Sequence, residues 1–171
     1  MTRVEDMPRG HAVLSLWPLV AVVLAGFVAG CTTNVVTGKS QLAPLMSASD
    51  EAAAGASAHP KIVATYGGAY DNPAVGAYVA DVTRRITRVT QAPDQPYRVT
   101  VLNSEIVNAF ALPGGYVYVT RGLLALVDDE AELAGVLGHE IGHVIARHGA
   151  QRQTAALGAS VIGAVLGAVV G

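Results

Sequence analysis

From Ser49 onward the spacing of apolar residues changes several times, and each change marks an element. Ser49-Asp50-Glu51 opens an Ala-rich stretch in the manner of an N-cap followed by acidic first-turn residues. That helix is expected to stop near His59-Pro60, since proline disfavours helical geometry in the residue before it. Beside the stop, His59 reads as a solvated or capping histidine rather than a ligand. Asn72-Pro73 reads as a cap and first helical position. Val75, Tyr78, Val79, Val82, Ile86 and Val89 then recur at three and four, a stripe turned to a core, with Arg84, Arg85 and Arg88 on solvated flanks. After the turn APDQP the period falls to two: Tyr97, Val99 and Val101 alternate with Arg98 and Thr100, as in a half-buried strand. NAFALP and GYVYVT, joined through Pro113-Gly114-Gly115, predict two further extended segments and a tight connection. The expected sheet is small, of at least three strands, and mainly antiparallel.

The last polar-bounded helix carries clear end signals. Asp129, three residues before Glu132, suits a capping box, and Asp128, Asp129 and Glu130 put negative charge at the positive end of the helix dipole. Arg147 and His148 place cations in the last turn, and Gly149 stands where a left-handed cap is wanted. The helix is therefore expected from Asp129 to His148. Gly135, Gly138 and Gly142 share one stripe of it. Each costs up to about 1 kcal/mol relative to Ala in a helix interior, which predicts close approach of another backbone.

The middle of this helix reads HEIGH. Residues four apart differ by about 40° around a helix axis, so His139 and His143 present imidazoles from successive turns of one face. Glu140 lies about 100° round from His139, where it flanks the pair without being a ligand. Zinc on two such nitrogens lowers the pKa of a water to about 7, and a flanking carboxylate can take its proton and pass it to a leaving amine. The plainer reading is a pair of surface or core histidines on an amphipathic helix; the mid-helix setting, after strands and a cap, favours the metal. On an unbroken helix His148 lies about 900° from His139, on the opposite face, and HEIGHVIARH departs from the metzincin spacing HExxHxxGxxH. His148 is thus read as a helix-end or packing residue. Glu132 is about 10 Å along the axis from His139, too far to share an ion, and nothing in the spacing of Glu105 recommends it.

Length and composition narrow the setting. The 171 residues suffice for one ordinary domain plus a targeting segment. A net charge of -2, with 11 Lys and Arg thinly spread, provides no basic stripe for nucleic acid. Arg3 and Arg9, an apolar run from Ala12 to Ala29 and the small pair Ala29-Gly30 lay out a secretory signal peptide over residues 1–30. The sole cysteine, Cys31, closes the stretch VAGC and excludes an internal disulfide. Two readings stand: a lipidated Cys31, or an uncleaved anchor with a chance cysteine. Residues 31–48, small and Pro/Gly-punctuated, suit a tether, residues 49–153 a core, and residues 154–171 an apolar Gly/Ala-rich helix. In that last helix Gly163, Gly167 and Gly171 repeat at four, and its 18 residues are barely long enough to span a bilayer.

NAFALPGGYVYVTRGLL, residues 108–124, followed by DEAELAGVLGHEIGHVIARHGAQ, residues 129–151, resembles the M48 family of zinc metalloendopeptidases. The likeness is to its bacterial periplasmic lipoprotein members, relatives of the CAAX protease, and VAGC resembles their lipobox. The resemblance implies an α+β, zincin-like fold, with the HExxH helix beside the small sheet and amphipathic helices before it. It implies one zinc per chain on His139 and His143, Glu140 as general base, and Asn108, Ala109, Phe110 and Ala111 as an edge strand that takes a substrate peptide. It further implies lipidation at Cys31, with Thr32 favouring the outer membrane, and misfolded envelope polypeptides as substrates. Family members draw a third ligand from a glutamate on a later helix, whereas this sequence has no Asp or Glu after Glu140. The chain is therefore expected to be an N-terminal piece of a longer protease. The competing expectation is a non-catalytic envelope lipoprotein that binds extended segments along the same edge strand.

Overall fold

The computed structural model describes residues 31–33, 38, 40–42 and 45–170, with side chains left undescribed at 31, 32, 40–42, 158 and 161–170. The proposed signal peptide lies outside them. Short strands β1 (Cys31–Thr33) and β2 (Ser40–Leu42) pair antiparallel. There follow α1 (Ala48–Thr65), α2 (Pro73–Thr87), β3 (Arg98–Leu102), β4 (Ala109–Leu112), β5 (Tyr116–Thr120), α3 (Arg121–Leu124), α4 (Glu130–Ile145) and α5 (His148–Val170). The class is α+β. No helix among the described residues is long and apolar enough to cross a membrane.

The capping box of α1 belongs to Ser47 rather than Ser49: its hydroxyl accepts from Asp50 N, whose carboxylate accepts from Ser47 N. Nor does the helix stop at Pro60. It continues to Thr65 because Ile62 and Val63, with Tyr66 just beyond, pack on Leu102, Tyr116 and Tyr118, burial that offsets the backbone hydrogen bond proline forfeits. Gly55 permits the approach of α1 to the sheet, since a Cβ there would collide with the Pro113 carbonyl and the Tyr116 ring.

The larger sheet has the order β3-β5-β4, antiparallel between β4 and β5 as expected but parallel between β3 and β5. The mainly antiparallel expectation therefore needs correction. Connection 103–108 straddles the end of β5 and sets β4 on its far side. Thr120, wholly buried, fastens that crossing by accepting from Asn108 N at 3.1 Å and Leu123 N at 3.2 Å. Gly114 and Gly115, at φ of 80° and 85°, turn the chain between β4 and β5.

β5 is buried along its whole length because helices cover both faces. Val117 and Val119 point toward α2 and α4, where Val79, Val82, Leu133, Leu137, Ile141 and Val144 close one core. Tyr116 and Tyr118 point toward α1. The α2 stripe is narrower than its spacing predicts, for Tyr78 is substantially exposed and Val89, past the helix end, is open to solvent.

Candidate functional site

α4 begins as its sequence predicts. The Asp129 carboxylate accepts from Glu132 N at 2.9 Å, while Glu132 accepts from Asp128 N rather than from the cap residue. Leu133, Leu137, Ile141 and Val144 anchor the helix on the sheet. That anchoring fixes its rotation and leaves the HEIGH residues along the rim, with Glu140 only 9 % exposed, His143 half-buried and His139 in solvent. One ligand atom from each of His139, Glu140 and His143 lies within 4.8 Å of the others, and the two rings stand 4.5 Å apart at 74°. Two imidazole nitrogens so placed supply two of the three protein ligands that a catalytic zinc takes, with the Glu140 carboxylate flanking them, and no third ligand joins the cluster among the described residues. No other cluster of this kind occurs among the described residues. Glu132 is engaged at the helix cap, and Glu105 pairs at the surface with Arg121, 2.9 Å away.

The glycine stripe behaves differently from expectation. Nothing among the described residues comes within 4 Å of a Cβ built at Gly135, Gly138 or Gly142, so no backbone packs there. The helix end differs as well. α4 stops at Ile145, and Arg147, not Gly149, adopts the left-handed conformation at φ 55°. Its guanidinium holds this turn from outside: Nε donates to Glu51 Oε1 at 2.6 Å and an Nη donates to the Met46 carbonyl at 2.6 Å, with Glu51 buried.

Because the helix is broken, the half-turn separation computed for His148 on a continuous helix does not apply. His148 starts α5 with its Nδ1 2.7 Å from His143 Nδ1. Burial, with His143 and Arg152 nearby, holds His148 below the ordinary histidine pKa. His59 is likewise not a solvated helix-stop residue: its Nδ1 meets the Tyr118 hydroxyl at 2.8 Å, and its ring packs near those of Tyr116 and Tyr118. Spacing gave no signal for the Glu51, Arg147 and His148 contacts, which depend on the break and on the first turn of α1 meeting it.

β4 lies along α4, and Ala111, Leu112, Pro113 and His143 line a common cleft. Thr120 N donates to the Asn108 carbonyl, which makes 108 and 120 a hydrogen-bonded pair; alternation then assigns Phe110 and Leu112 to the β5 ladder. The backbone N–H and C=O of Ala109 and Ala111 therefore face outward along an edge that has no partner among the described residues. Their small side chains pack toward α4. Cys31 heads β1 opposite Leu42.

Residues 73–171, more than half of the chain, match the family described as Peptidase family M48. Among curated proteins, the mitochondrial metalloendopeptidase OMA1 of Schizosaccharomyces pombe is 41% identical over 75 residues, covering 44% of this chain and 22% of that protein. The protein of the same name from Arabidopsis thaliana is 46% identical over 70 residues, 41% of this chain and 14% of its own length. The beta-barrel assembly-enhancing protease of Escherichia coli (strain K12) is 32% identical over 78 residues, 46% of this chain and 16% of its length. In each case the match spans less than a quarter of the relative.

Proposed function

Because the chain belongs to peptidase family M48, we propose that it is the zinc-binding and substrate-aligning part of a metalloendopeptidase with a zincin-like fold, His139 and His143 holding the metal and Glu140 acting as general base. The observation that carries this reading is the His139, Glu140 and His143 cluster beside the open edge of β4. Zinc, when bound, supplies the Lewis acid that acidifies a water and polarises the scissile carbonyl. The polypeptide does the rest. An extended substrate pairs with the outward amides and carbonyls of Ala109 and Ala111, which asks little of its sequence and lays its backbone across the site. Glu140, sheltered on the core side of the histidines, takes the proton of the attacking water and returns it to the leaving amine. Asn108 and Phe110 hold the strand to β5, so their part is to set the edge rather than to touch the peptide backbone.

Relatives named for enhancing β-barrel assembly support envelope polypeptides as substrates. The stretch VAGC supports a lipid anchor at Cys31, facing the periplasm and favouring the outer membrane. The decisive measurement is zinc stoichiometry and casein cleavage by the lipidated chain, with and without Glu140→Gln. Equimolar zinc, with cleavage lost in the variant while zinc is retained, would show that a third ligand completes the site; weak zinc without cleavage would show that His139 and His143 need the later glutamate absent from this sequence. Zinc binding without any cleavage would turn the reading toward a non-catalytic binder of extended chains.

A further inference from the structure

His148 is not one of the three clustered side chains, yet its Nδ1 lies only 2.7 Å from Nδ1 of His143. An imidazole that ligates through one nitrogen has the other available to a partner, and that partner decides which nitrogen carries the proton. With Nδ1 of His143 facing His148, Nε2 is the nitrogen left for a cation. Nε2 can ligate only when the His143 proton is on Nδ1, and that arrangement requires His148 to accept on Nδ1 and keep its own proton on Nε2. The opposite assignment, His148 donating, would put the His143 proton on Nε2 and block the site.

The position of His148 is itself costly to reach. A left-handed Arg147 is disfavoured by roughly 1–2 kcal/mol. It is held by the buried carboxylate of Glu51, in the first turn of α1, and by the Met46 carbonyl just before that helix. Without that hold, α4 has no reason to break at Ala146, and His148 would swing to the far side of the helix.

We propose that His148 is a positioning residue that fixes the Nδ1-protonated tautomer of His143, and that the Glu51 to Arg147 ion pair is the clamp that puts it there. The inference rests on the zinc reading for its purpose, but the tautomer exists in the metal-free protein and can be read there. The test is nitrogen-15 NMR of the histidine rings in the metal-free full chain, with zinc affinity measured by chelator competition. Wild type, His148→Ala, His148→Gln and Glu51→Gln are compared.

The expected result is a His143 proton on Nδ1 in the wild type. In His148→Ala the tautomers mix and zinc affinity falls about 10- to 100-fold, the usual effect of losing such a partner. His148→Gln, whose amide oxygen also accepts, recovers most of both signals. Glu51→Gln reproduces the His148→Ala spectrum with His148 itself intact. A wild-type His143 proton on Nε2, or an unchanged His143 spectrum in His148→Ala, overturns the proposal. Absence of zinc binding in a wild type that still shows the Nδ1 proton would overturn the zinc reading and leave the positioning contact standing.

Discussion

Tyr118 is fully buried, and its hydroxyl meets His59 Nδ1 within the ring stack. Burial, with a smaller contribution from Tyr116, pushes its pKa up to about 12, against about 10 for a free tyrosine. A group whose folded pKa is raised contributes stability that is complete below its unfolded value, here about pH 10, and that is lost as pH rises through about 12. Urea midpoints taken up this alkaline range should therefore fall more steeply for the wild type than for Tyr118→Phe; parallel curves would show that the phenol is not the titrating group. Residues acting through a fixed local spacing were legible in the sequence. His139, Glu140 and His143 needed only the helix period to be placed together, and Asp129 only its cap signature. His59 was misjudged, and His148, a helix-end packing residue as expected, was placed on the wrong face, because their contacts come from tyrosines and a histidine brought near by tertiary packing and a chain break.

At the scale of elements, two helices respond oppositely to the same substitution. Gly55→Ala in α1 should destabilise by about 1–3 kcal/mol, since the new methyl meets the Pro113 carbonyl. Gly135→Ala in α4 should stabilise by up to about 1 kcal/mol, since its Cβ enters open space. Chemical denaturation of both variants checks the pair, and a loss of stability at Gly135 would reveal a neighbour packed on that stripe. The edge of β4 offers a second contrast. Ala111→Pro removes an outward N–H and should suppress casein cleavage while moving Tm little, whereas Phe110→Pro removes a ladder bond to β5 and should lower Tm sharply. Equal Tm losses would contradict the alternation assigned here. The strands and α2 were readable from period alone. The parallel pairing of β3 with β5 was not, because a hairpin signal joins β4 to β5 while saying nothing of which edge an earlier strand takes. The passage of α1 through Pro60 was equally hidden, since local propensity argued for a stop and only burial of Ile62 and Val63 overrides it.

For the molecule as a whole, the candidate centre sits where one core ends: α4 contributes its apolar face to the sheet and its rim to the His139, Glu140 and His143 cluster. A cation bound there favours only the folded state. Saturation at about 100 times Kd should raise stability by about 2.7 kcal/mol, and His143→Ala should abolish the gain. Thermal melts with and without zinc check this, and an equal gain in the variant would place the metal elsewhere.

Glu51 and Arg147 stand 96 residues apart in the chain. At ordinary synthesis rates of 5–20 residues per second, roughly 5–20 s separate their appearance. In the later part of that interval the nascent polypeptide already carries its edge-strand residues and, at the very end, the histidines of α4, but not the guanidinium that bends the chain after α4. If the clamp governs His143 as proposed, competence to cut arrives only when the far end folds back onto the near one. The clamped site is thus unformed while the chain is unfolded, when its own backbone is the most abundant extended polypeptide within reach.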